Sequence, residues 1–293
     1  MLQSFPSVRL VALDLDGTTL ADGGILTENT KQVLEEACRR GVHIVVASGR
    51  SFYSLPECIH QVEGLEYSIN SNGSSVYRLH TAERICHETL NSACVPTILA
   101  ILQEENACIE CFVDGIAYAD QAFVEDPVGF GATEQGRIYI QKTRKPVDGI
   151  VSFIQDNITN LDAIDAVVSN PEQKARLEEK LAQAGDFYLT SSVDHLIEMA
   201  GSRAGKAAAL QWLAGELRIA PEEVMACGNA ENDRDMLLYA GYGVAVANSP
   251  ESLKRDADYV TEDNNHEGVA NAIRRLVLDS GEPQSGEEPN AEE

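Results

Sequence analysis

Val8-Arg9-Leu10-Val11-Ala12-Leu13-Asp14-Leu15-Asp16-Gly17-Thr18 opens on a nearly unbroken apolar run and ends in two carboxylates set two positions apart. Continuous apolar character, without in-and-out alternation, is the mark of a parallel strand covered on both faces. In an open α/β sheet the carboxyl ends of such strands are where ligands bind, so Asp14 and Asp16 stand at the functional edge. Two anions there require a compensating partner, and a divalent cation is the natural one. Gly17 permits the tight bend that turns Asp16 back over the edge. Read alone, the same residues also describe a strand end with a turn-forming Asp-Gly.

Outward from this stretch the α/β rhythm continues. A helix is expected from Glu28 to Arg40, with Val33, Leu34 and Ala37 on one face and Gly41 as its stop. A second apolar strand follows from Val42 to Ala47 and ends in Ser48-Gly49-Arg50. Strand, helix and strand make a βαβ unit with a right-handed crossover. A third short strand is expected near Tyr67, and Asn72-Gly73 marks a turn before Ser75 to Leu79. The rhythm resumes with a helix from Gly205 to Leu217 and a strand from Val224 to Cys227, which breaks into Gly228-Asn229-Ala230-Glu231-Asn232-Asp233. A strand at Gly243 to Ala247, another at Tyr259 and a closing helix from Gly268 complete it. The fold class is therefore α/β, a doubly wound parallel-sheet (Rossmann-like) core with an inserted α+β cap domain. Residues 1–82 and 196–278 are assigned to the core and 83–195 to the cap. Residues 279–293, with six acids and no base, are expected to be disordered.

Charge narrows the partners. With 47 acidic residues against 22 basic ones and a net charge of -25, the chain repels nucleic acid and anionic membrane surfaces. Any phosphate must be held by local donors and a metal. Seven scattered cysteines and no apolar run long enough to span a bilayer suit a cytoplasmic protein. Cys108 and Cys111 have C-x-x-C spacing, but on a strand they point to opposite faces.

Three further places bear chemistry. Ser48 and Gly49 follow an apolar strand, where a hydroxyl and backbone N–H groups bind phosphate oxygens or simply cap a helix. Lys206 opens a helix against the dipole, which fits the neutralisation of an anion as well as a solvated lysine. Asn229 and Asp233 offer oxygen donors to a hard cation, or cap the helix that follows. In this order the motifs resemble those of the haloacid dehalogenase superfamily, and within it the Cof-type phosphatases, from Val8 to Leu278. Asp14-Leu-Asp-Gly-Thr18 resembles the first motif, Ala47-Ser-Gly-Arg50 the second, Lys206 the third and Gly228-Asn-x-x-Asn-Asp233 the fourth.

The resemblance implies a phosphatase acting on small phosphorylated metabolites such as sugar phosphates or phosphorylated cofactors. Asp14 would be the nucleophile and Asp16 the general acid and base, its pKa raised by burial and by the charge of Asp14. Ser48, Gly49, Lys206 and Asn232 would hold the phosphoryl group. Mg2+ would be bound by Asp14, Asp16, Asn229 and Asp233. The family has Asp where this chain has Asn229, so weaker magnesium binding is expected. A phosphomutase, or a phosphometabolite-binding regulator without turnover, are the alternatives.

Overall fold

The computed structural model describes residues 7–279. Its core sheet begins with β1 (Leu10–Leu13), β2 (His43–Ala47) and β3 (Tyr67–Asn70), followed by the antiparallel β4 (Ser75–Arg78) and β5 (Glu83–His87). The chain then builds a second sheet from β6 (Cys108–Val113), β7 (Ile116–Asp120), β8 (Arg144–Val147), β9 (Leu161–Val167), β10 (Tyr188–Thr190) and β11 (Leu196–Ala200). It returns to the core with β12 (Val224–Gly228), β13 (Tyr242–Ala245) and β14 (Tyr259–Val260). The core order is β14-β13-β12-β1-β2-β3-β4-β5, parallel from β14 to β3. The cap order is β10-β11-β9-β6-β7-β8, with only β7 and β8 parallel.

The reading of β1 as a doubly covered strand holds. Val11 and Leu13 pack with Val33, Leu34, Ala270 and Ile273 on one face. Leu10 and Ala12 pack with Leu210, Leu213, Met236 and Leu237 on the other. Each fully buried aliphatic side chain contributes roughly 1.5–3 kcal/mol, so the continuous run is what fixes β1 at the centre.

The expected domain limits shift at both ends. Residues 83–87 are the outer strand of the core sheet, and residues 196–200 pair with β9 inside the cap sheet. β5 carries Arg84 and His87 and has no apolar run to announce it; pairing with β4 holds it in place. The two chain passages between core and cap lie side by side. A side chain at Gly201 would bring its Cβ within 2.7 Å of the Thr89 carbonyl oxygen, and Arg203 pairs with Glu88 across the passages at 2.9 Å. The tail expected to be disordered lies, beyond Asp279, outside the described residues.

Cys108 and Cys111 do face opposite sides of β6, one toward Phe123 and the other toward Ile164. Burial pushes both thiols up, that of Cys108 to about 12. No helix among the described residues is long and apolar enough to cross a membrane.

Candidate active site

Strand register brings the motifs together. Leu13 at the end of β1 pairs with Cys227 of β12 on one side and with Val46 of β2 on the other. Asp14, Gly228 and Ser48 therefore emerge along one edge of the sheet. Asp14 is buried, its N–H donating to the Cys227 carbonyl at 3.0 Å and its carbonyl accepting from Thr19 Oγ1 at 2.6 Å.

Lys206 reaches this edge from the first turn of helix Lys206–Leu217. Its Nζ lies 2.7 Å from Asp14 Oδ1 and 2.7 Å from Asp233 Oδ1, with all three groups buried. The dipole it opposes is a small cost beside two charge-assisted hydrogen bonds. The helix is seated by a glycine contact. Asn72 has φ 50° and Gly73 φ 93°, and a Cβ on Gly73 would fall 2.2 Å from the Gly205 carbonyl oxygen. One ammonium thus serves two carboxylates. Burial, then the neighbouring Asp233, push the Asp14 carboxyl up to about 7 against the opposing pull of Lys206. Burial disfavours the Lys206 ammonium, but Asp14 and Asp233 outweigh it and hold its pKa above the ordinary value.

Asp233 was expected among the cation ligands; its oxygens are already committed. Oδ1 accepts from Lys206, and Oδ2 accepts the N–H groups of Asn229 at 2.9 Å and Ala230 at 3.0 Å. It shapes the loop and anchors Lys206. Asn229 is placed otherwise. One atom of its amide lies 3.0 Å from Thr18 Oγ1, 3.2 Å from Asp14 Oδ2 and 3.2 Å from the Asp16 carbonyl oxygen. With nitrogen facing inward, the amide donates to all three. With oxygen facing inward, the amide stands 3.2 Å from Asp14 Oδ2 and 3.2 Å from the Asp16 carbonyl oxygen, close to the roughly 3 Å edge of an octahedron with 2.1 Å metal–oxygen bonds. The Asp14 carboxylate, the Asp16 carbonyl and the Asn229 amide oxygen therefore fit a magnesium ion.

The Asp16 side chain departs from expectation. It is not buried; it is 55% exposed, and Arg50 clamps it through Nε to Oδ2 and Nη2 to Oδ1, both at 2.7 Å. The Arg50 guanidinium also lies 4.2 Å from the ring centroid of Tyr139, on cap helix Glu134–Thr143. Arg50 stood in the second motif of the sequence, yet only the fold shows which acid it meets.

Asp14, Asp16, Ser48, Gly49, Asn229 and Asn232 line one cavity of about 340 Å³ between core and cap. Ser48 is buried, its Oγ accepting the Arg50 N–H at 3.2 Å. Asn232 donates to Asn72 Oδ1 at 3.0 Å, and Asn72 donates to Glu198 Oε1 of β11 at 2.8 Å, a polar chain that links core to cap. Glu198 also lines the cavity, while Asn265, His266 and Arg203 do not. The cap wall adds Glu110, Tyr139, Arg144 and Asp165. No local sequence signal marked these four residues.

The sequence model of the haloacid dehalogenase-like hydrolases matches residues 11–273. The chain belongs to this family and is a hydrolase of the phosphatase kind. It is 29% identical over 290 residues to phosphatase YwpJ of Bacillus subtilis, covering 92% of this chain and all of the relative. It is 26% identical to the 5-amino-6-(5-phospho-D-ribitylamino)uracil phosphatase YcsE of the same organism, covering 92% and 96%. A haloacid dehalogenase-like hydrolase structure from B. subtilis superposes with a TM-score of 0.82 at 26% identity, covering 92% of this chain and 100% of the other.

Proposed function

We propose that the protein is a magnesium-dependent phosphatase that hydrolyses small phosphate monoesters through an aspartyl-phosphate at Asp14. The observation that carries this reading is the buried Asp14 carboxylate, held at 2.7 Å by Lys206 with the Asp16 carbonyl and the Asn229 amide beside it. Asp14, the Asp16 carbonyl and Asn229 would hold the magnesium, which when bound neutralises charge on the nucleophile and the phosphoryl oxygens.

An Asp14 oxygen attacks phosphorus while the ester oxygen leaves, and Asp16 gives that oxygen its proton. Asp16 then takes a proton from the water that attacks the aspartyl-phosphate, which frees inorganic phosphate and restores both acids. Ser48 Oγ, the backbone at Gly49 and Lys206 hold the transferring oxygens, where fixed donors stabilise developing charge. Asn232 positions the same edge through Asn72. Arg50 holds Asp16 at the cavity wall for both transfers.

A cavity of about 340 Å³ suits a small leaving group. The relative named for a ribitylamino-uracil phosphate is consistent with that size class. Incubation with Mg2+ and p-nitrophenyl phosphate tests the reading. Release of inorganic phosphate by the parent and its loss in Asp14→Asn are expected. Undiminished release by the variant would remove Asp14 from its role.

A further inference from the structure

Three carboxylates stand in one row across the cap sheet. Glu110 of β6 pairs directly with Asp165 of β9, and Asp165 pairs directly with Glu198 of β11. All three are buried, and all three line the cavity that Asp14 closes from the other side. Like charges directly opposite one another destabilise a sheet, so such a row needs compensation.

The compensation is incomplete. Both Glu110 oxygens accept from Arg144, at 2.8 and 2.9 Å. Glu198 accepts from Asn72 at 2.8 Å and from the Ser192 N–H at 2.7 Å. Asp165, in the middle and 3% exposed, accepts no hydrogen bond from any described residue. Burial, then Glu198 and Glu110, hold its carboxyl well above the usual carboxylate range, with Arg144 pulling weakly the other way. A carboxyl so placed can hold a ligand's hydroxyl, or give up its proton and pair with a ligand's ammonium.

Neither nearby cation is free to receive an anion. Arg144 is spent on Glu110 and Thr143 and lies against Tyr139 and Phe112, and Arg50 is spent on Asp16.

We infer that the Glu110–Asp165–Glu198 row recognises the leaving group of the substrate, selecting monoesters whose far end carries hydroxyl or ammonium donors and rejecting those with a second anionic group. This rests on the phosphatase reading for the placement of the phosphoryl end at Asp14.

Binding is measured by calorimetry with magnesium present, in an Asp14→Asn background that removes turnover. Glucose 6-phosphate and glucosamine 6-phosphate should each bind at least about tenfold more tightly than 6-phosphogluconate, since like-charge juxtaposition at a buried contact is strongly unfavourable. A lead of glucosamine 6-phosphate over glucose 6-phosphate identifies ammonium as the matched donor, and equality identifies hydroxyl. Adding Glu198→Gln, close to isosteric and removing a carboxylate from the row, should shrink the discrimination against 6-phosphogluconate to about threefold or less. Equal or reversed ranking with the cap unaltered overturns the inference, as does a ranking that Glu198→Gln leaves intact. The unaltered cap is a sufficient test should that variant not fold. Turnover of p-nitrophenyl phosphate by the parent reads the chemistry separately. Turnover without the ranking sinks the cap assignment alone, and the ranking without turnover sinks hydrolysis alone.

Discussion

Arg50 holds both carboxylate oxygens of Asp16 at 2.7 Å while its guanidinium face lies over Tyr139 of the cap. One side chain therefore joins the proposed proton donor to the domain that covers the substrate. Arg50→Ala is expected to lower kcat/KM by about 10- to 100-fold, because Asp16 loses its orientation and the cap a stacking contact. Arg50→Lys should recover little, since an ammonium matches neither the bidentate pair nor the ring face. Steady-state kinetics on p-nitrophenyl phosphate decide it. Full activity in Arg50→Lys would mean that only charge matters.

Among the described residues, Lys206 is the one cation that pairs with both Asp14 and Asp233. Lys206→Met leaves two buried carboxylates facing each other, and breaking a buried pair in this way costs about 3–5 kcal/mol. Urea unfolding should show the loss. A variant as stable as the parent would show that solvent or a cation already screens the pair.

Asn229→Asp adds a charge where the amide now meets Asp14 and the Asp16 carbonyl. Magnesium should then bind about tenfold more tightly, read as the half-saturating concentration in an activity titration. With EDTA present the same variant should be less stable than the parent, since a third carboxylate joins Asp14 and Asp233. Unchanged magnesium dependence would place the cation elsewhere.

The Asp14 carboxyl, pushed up to about 7, links pH to stability in the metal-free protein. The unfolded chain releases this proton near the ordinary carboxylate value, while the folded chain keeps it to about 7. The stabilisation is complete below the unfolded value and is lost as pH rises through the folded one. Scanning calorimetry in EDTA should show a falling transition temperature from pH 5 to pH 8. Asp14→Asn should remove that part of the fall, and a slope unchanged in the variant would assign it to another group.

Much of this was legible in the sequence because local chemistry and long-range pairing agree there. The unbroken run before Asp14 admits little but a central parallel strand, and its parallel neighbours carry the other motifs to the same edge. Lys206, set against its helix dipole, signalled an anion that proved to be two. Legibility failed where a residue's task depends on a distant partner. Asp233 reads as a cation ligand until Lys206 and two backbone N–H groups are seen to occupy it. Asp16 reads as buried until Arg50 is seen across from it. Asp165, one of two acids in the otherwise apolar β9, carries no signal until β6 and β11 flank it.

The paired passages at Thr89 and Gly201 have an evolutionary corollary. Everything proposed to break the phosphorus–oxygen bond is encoded outside them, and the carboxylate row is encoded between them. A lineage can thus rewrite its diet through changes confined to one internal segment of the gene, with the chemical engine inherited untouched. Because both passages meet at one point, grafting that segment from a relative demands only two compatible junctions.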